Sequence, residues 1–234
     1  MALGLMLISL IPTSGMTATW TELAKGNLKT ALSIIATSLI IVILALPVML
    51  PIFAGGLLNA GPLFILMRIM LVIVIPLVLG DITRRIIISR KGQPFYKSKK
   101  PMFSGLSSTG LLFVLFLIMS LDTNKMLVSN PLLTIKGLVP LLFYYILMFG
   151  TSTLMTRVFA LERSVGVAVV YGTSVRYLAL ALGIAVPLLG TGKESSLVVF
   201  VVALAFFVQV PFSSLYSKFY AQRVNALVGK QEKV

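Results

Sequence analysis

Cysteine and histidine are both absent from this chain of 234 residues, and only six residues are acidic. Without cysteine there is no disulfide, no thiolate ligand and no cysteine nucleophile. Without histidine, the usual general base near neutral pH and the commonest metal ligand are missing as well. With so few carboxylates left, metal-dependent and acid–base chemistry have little to work with, and the chain is expected not to be an enzyme. Charge of either sign is scarce, at 11% of residues, where a soluble domain carries about a quarter.

Hydrocarbon fills the space: 58% of residues are hydrophobic and the mean hydropathy is +1.05. Charges are excluded in this way where most positions face lipid or other helices, which predicts an all-α, polytopic membrane helix bundle. Six long apolar stretches stand out, at 30–53, 62–80, 106–121, 137–155, 164–189 and 196–215. Most approach the roughly 20 residues that a helix needs to cross the bilayer core. A seventh, 1–12, is too short to cross alone and is expected to cross as a broken element continuing through 13–24. About seven segments result. A signal peptide is a poor reading of the start, which has no basic n-region and no small-x-small site after Pro12.

Lys and Arg number 20, for a net charge of +14. On a soluble chain such basicity suggests nucleic acid; here no basic run is interleaved with aromatics on a polar background, and basic loops facing anionic membrane lipid are expected instead. With seven crossings, fifteen basic residues fall on one side, in clusters at 25–29, 84–100, 157–163 and 218–233. Only Lys125, Lys136 and Lys193 fall on the other, and Arg68 and Arg176 lie within segments. The positive-inside rule then places the N-terminus outside the cell membrane and the C-terminus in the cytoplasm. Lys25 and Lys29 join the basic side only if the first segment crosses. The 84–100 run, with Gly92 and Pro94, reads as a solvated cytoplasmic loop touching anionic lipid, and Arg68 as a snorkelling side chain.

Two stretches carry the candidate chemistry. In Ile11-Pro12-Thr13-Ser14-Gly15, Pro12 removes a backbone donor and Gly15 relaxes the chain, so the helix is expected to unwind between them. Unwound backbone survives at membrane depth only when buried in protein or lining a wet cavity. Its freed carbonyls, with the hydroxyls of Thr13, Ser14, Thr17 and Thr19, form an oxygen-rich site for a cation or polar solute. The half-helix that follows aims its amides at the same place, which suits an anion. A kink whose hydroxyls bond back to the preceding turn is equally compatible with these residues.

The counterpart is Thr173-Ser174-Val175-Arg176. Arg176 lies near the middle of its apolar stretch, where a guanidinium keeps its charge and is costly unless it meets a cavity or partner. It reads as a fixed positive charge for an anionic solute, or as a permanent surrogate for a coupling cation. An ion pair would need an intramembrane acid, but Asp81, Asp122, Glu162 and Glu194 all fall at segment ends. A weak repeat links the two stretches: 13–49 and 173–212 each run as a Thr-Ser-bearing interrupted segment, a polar link and a long apolar helix. One starts outside and the other inside, the inverted-repeat pattern of secondary transporters. Ser33 and Thr37, four apart, share a helix face and can turn oxygens toward the first break. Gln209, two residues before Pro211, marks a kink and no more.

Pro12 through Asn27, ending Leu-Ala-Lys-Gly-Asn and followed by Ala31-Leu32-Ser33 and Thr37-Ser38, resembles the bile acid:sodium symporter family. That family's fourth helix is broken, and a Leu-Ala-Lys-Gly-Asp link leads into its fifth. Arg176 to Ala181 is similar to the break in the ninth helix. The resemblance covers essentially the whole chain, from the family's fourth helix to its tenth, and includes arsenite-exporter-like relatives. It implies part of an inverted-repeat fold of ten helices, with the first three missing here. It also implies sodium sites, onto which Thr17, Ser33 and Thr37 carry over as a residual set. Ala18 stands in place of the family's Asn, Gly172 or Tyr171 in place of its Glu, and Arg176 in place of its Gln. A guanidinium about 4 Å from a sodium ion would repel it by roughly 4 kcal/mol at an effective dielectric of 20, so sodium coupling is not expected. Arsenite is a poor cargo for a chain without the cysteine on which those relatives are said to rely.

The expectation is thus one transmembrane domain over 1–234: the end of a first repeat (1–53), a second repeat (62–217) and a cytoplasmic tail (218–234). The chain is expected to carry an organic anion or small polar solute by alternating access, with substrate contacts from Thr13, Ser14, Gly15, Thr17, Thr19, Thr173, Ser174 and Arg176. No cofactor is expected. Partners would be the solute, lipid, and either a second copy or a chain supplying the missing helices. A non-transporting scaffold or inactive partial subunit is the alternative.

Overall fold

A computed structural model describes residues 1–54, 61–118, 131–189 and 193–231. Among these, the backbone is helical apart from short links and one isolated bridge between Thr13 and Arg176. α1 (Ala2–Leu10) ends where Pro12 begins a non-helical stretch, and α2 (Met16–Leu23) resumes after Gly15. The Leu-Ala-Lys-Gly-Asn link then turns the chain. Lys25 takes the left-handed conformation (φ 56°) that closes a helix, and the Asn27 side chain accepts the Thr30 amide at 3.2 Å, capping α3 (Leu28–Ala54). A Cβ on Gly26 would stand 2.7 Å from both Thr21 and Val167. The link is therefore pressed against the helix that carries the second break, and the Asn27 amide bonds the Ser164 carbonyl at 2.8 Å.

α4 (Pro62–Ile69) passes through a π-helical turn, Met70–Val74, into α5 (Ile75–Ile118). The 84–100 run is here a correction to the sequence reading. It is helical on both sides of Gly92 rather than a loop, and the change of direction is concentrated in that one residue (φ 80°, ψ 163°). Arg84 lies over the Tyr96 ring at 5.9 Å, so the two arms fold toward each other. Asp81 takes Arg85 at 2.7 Å and Arg84 at 3.7 Å. Arg68 lies over Phe64 at 4.8 Å. The end of the 106–121 stretch, with Asp122 and Lys125, lies outside the described residues.

α6 (Pro131–Val158) leads to α7 (Arg163–Ser174), a second break at Val175–Tyr177, α8 (Leu178–Leu189) and the long α9 (Lys193–Gln231). Among the described residues, four helices are long and apolar enough to cross a membrane: Leu28–Ala54, Pro62–Lys99, Pro131–Val158 and Ser195–Phe219. The last is the most buried of the four, packed against α1, α6 and α8. The other three turn large side chains outward, among them Leu44, Leu79, Phe143 and Ile146. Such exposure is costly in water and normal against lipid tails; this is a multi-pass membrane protein.

Candidate functional site

The two breaks meet. The Ser14 amide donates to the Val175 carbonyl at 3.1 Å, and the Tyr177 amide donates to the Pro12 carbonyl at 3.0 Å. These two bonds make the antiparallel bridge between Thr13 and Arg176. Each broken segment thus supplies the hydrogen bonds that the other lost by unwinding, which is how irregular backbone survives away from water.

The end of α7 is closed by hydroxyls. Thr13 donates to the Val175 carbonyl at 2.9 Å, leaving the Thr17 proton for the Thr13 oxygen at 2.7 Å or the Tyr171 carbonyl at 3.4 Å. Both threonines are buried. Ser14 accepts the Met16 amide at 3.2 Å and starts α2. The end of α1 is closed differently: the Arg176 guanidinium donates from Nη1 to the Ile11 carbonyl at 3.3 Å and from Nε to the Tyr144 hydroxyl at 2.8 Å. A cation at a helix C-terminus opposes the negative end of its dipole. The crossing therefore pairs one positively capped helix end with one neutral one.

Gln209 holds Arg176 in place. Its carboxamide accepts the Arg176 amide at 2.8 Å and returns a bond to the Arg176 carbonyl at 3.1 Å, so a side chain plays the part of a second strand. The Tyr145 hydroxyl donates to the same Gln209 oxygen at 2.8 Å. Gln209 and Tyr145 are fully buried, while Arg176 and Tyr144 are half-buried. Sequence reasoning gave Gln209 only a kink and passed over Tyr144 and Tyr145. The available signal was a lone amide in an apolar helix and a tyrosine pair in another.

The remaining candidates are placed as follows. Thr173 bonds Ser152 at 2.5 Å and the Val169 and Val170 carbonyls of its own helix, as serine and threonine in membrane helices commonly do. Ser174 is buried, and its hydroxyl has no partner among the described residues. Gly15 is exposed beside the break. Thr19 lies on the exposed side of α2, since two helical residues rotate it about 200° from Thr17. Ser33 and Thr37 do share a face of α3, but that face is exposed, and no hydrogen bond joins either to buried Thr17. At Gly172 a Cβ would stand 2.7 Å from Ile34, so an acidic side chain has no room there. Among the described residues no group of acids that could hold a metal is present. An apolar crevice lined by Leu3, Leu7, Leu50 and Leu188 offers a polar solute nothing to bond.

Comparison with known proteins agrees with this architecture. The model of the Sodium Bile acid symporter family matches residues 1–130, more than half of the chain. The arsenical-resistance protein Acr3 of Alkaliphilus metalliredigens (strain QYMF) is 28% identical over 201 residues, which cover 83% of this chain and 55% of that protein. The chain thus spans about half the length of this relative.

Proposed function

The chain belongs to the sodium bile acid symporter family, and on that premise we propose that it is a secondary carrier for an organic anion or small polar solute, working by alternating access across the cell membrane. The observation that carries the reading is Arg176, a half-buried guanidinium at the junction of two broken helices with no carboxylate bonded to it among the described residues. A buried charge without a counter-charge is costly, and an anion arriving at the crossing lowers that cost.

The rest follows from the same geometry. Residues 1–53 and 62–217 belong to two inverted repeats, a reading that the antiparallel meeting of the breaks supports. The N-terminus faces outside and the C-terminus the cytoplasm, by the distribution of Lys and Arg. Thr13, Ser14 and Thr17 shape one wall of the site, and Ser174 and Arg176 the other. Sodium is not the coupling ion: the positive charge already stands at the helix end where a cation would bind. The name of the arsenical-resistance relative suggests an arsenic compound as cargo, but without a thiol the chain lacks the soft ligand that trivalent arsenic prefers.

Exchange in reconstituted vesicles tests this reading. External unlabelled anion should accelerate efflux of the same labelled anion, and Arg176→Gln should abolish the acceleration. Efflux that ignores the external anion contradicts alternating access.

A further inference from the structure

An arginine side chain has five N–H donors. At Arg176, Nε is given to Tyr144 and one donor of Nη1 to the Ile11 carbonyl. Three remain, two of them on Nη2, and among the described residues none of them has an acceptor. Tyr144 receives the Nε bond as an acceptor, and among the described residues its own O–H proton has no acceptor. Nε and Nη2 lie along one edge of the guanidinium plane. The Tyr144 oxygen therefore stands beside Nη2, and its proton is free to turn to the same side.

Both groups are held firmly. Gln209 fixes the Arg176 backbone on its amide and carbonyl. Tyr144 packs edge-on against Tyr145 with ring centroids 5.2 Å apart, and Tyr145 is itself tied to Gln209. The start of α8, two residues after Arg176, adds the positive end of a helix dipole. The unspent groups of Arg176 and Tyr144 all offer protons, and the net charge is positive. The complementary ligand accepts several hydrogen bonds and is negative. An oxyanion has that pattern; a metal cation is repelled, and a neutral amide or alcohol lacks the charge.

We propose that Arg176 and Tyr144 together bind the oxygens of an oxyanion, with the Tyr144 hydroxyl as a specificity-determining donor. This deepens the carrier reading and rests on its placing the solute at the crossing. The test is ligand-induced thermal stabilisation of the purified full chain in detergent, with benzoate, methanesulfonate and uncharged benzamide as probes at constant ionic strength. Benzoate and methanesulfonate should stabilise the wild type, and benzamide should not. Tyr144→Phe keeps the ring but releases Arg176 Nε and should lower the unliganded melting temperature. The variant is therefore read by its own ligand-induced shift, in which the apparent Kd for benzoate rises about 10-fold or more, as expected for one hydrogen bond to a charged group. Tyr144→Gln restores a donor and should recover part of the affinity; Arg176→Gln should abolish the response. An unchanged Kd in Tyr144→Phe, a benzamide response equal to that of benzoate, or no oxyanion response in the wild type overturns the proposal. Oxyanion binding without exchange in vesicles would sink the carrier reading alone. Exchange that persists with an unaltered Kd in Tyr144→Phe would sink this inference alone.

Discussion

Arg176 is the residue on which the site turns, and the structure answers how a charge can be kept there. Its backbone is held by Gln209, its Nε by Tyr144 and its Nη1 by the freed end of α1. The position of the charge was legible in the sequence, because an arginine deep in an apolar stretch is conspicuous whatever surrounds it. Its partners were not, because Tyr144 and Gln209 lie 32 and 33 residues away and periodicity says nothing about such distances. Gln209→Leu strands the Arg176 amide and carbonyl and the Tyr145 hydroxyl at once. We expect a loss of about 2–4 kcal/mol, measured by unfolding in mixed micelles, since each orphaned buried group costs about 1–3 kcal/mol and membrane settings lie at the low end. A loss no larger than that of an exposed polar-to-leucine change would mean that the clamp contributes nothing. Thr17→Val, of nearly equal shape, removes the bonds to Thr13 and to the Tyr171 carbonyl, and about 1 kcal/mol is expected in the same assay.

At the level of elements, the two breaks were not equally visible. The first is written in Pro12 and Gly15. The second, Val175–Tyr177, contains neither proline nor glycine, and the buried arginine, the Thr-Ser echo and the family resemblance of Arg176 to Ala181 pointed to it. Helical spacing told correctly that Ser33 and Thr37 share a face, but spacing cannot tell which face is buried. Ala31 and Ile34 turned inward instead, with Ile34 filling the notch at Gly172. Gly172→Ala should therefore push α3 and α7 apart and cost about 1–3 kcal/mol by overpacking, read as a lowered unfolding midpoint. The bend in α5 was mistaken for a loop because Gly92, Pro94 and a dense basic run are loop signals. One residue with positive φ sufficed, and the charged arms stayed helical. Gly92→Ala should cost about 1–3 kcal/mol, since φ 80°, ψ 163° is open almost only to glycine. An unchanged midpoint would show that the bend does not need this conformation.

For the whole molecule, composition alone announced a polytopic helical bundle, and the four long apolar helices bear that out. Orientation is open to direct measurement, and the natural absence of cysteine supplies a clean background. Single cysteines at Lys25 and Lys99 should react with a membrane-impermeant maleimide only from the cytoplasmic side, and one at Lys136 only from outside; the reverse pattern would invert the molecule. The account of function stands on a guanidinium fixed where two broken helices cross, serving an anion without help from a metal cation. The measurement that bears on it most directly is benzoate uptake into vesicles in sodium and in sodium-free N-methylglucamine buffer, for the wild type and Arg176→Gln. Uptake by the wild type should be the same in both buffers and absent from the variant. Wild-type uptake that requires sodium, or uptake that survives the loss of Arg176, would contradict the account.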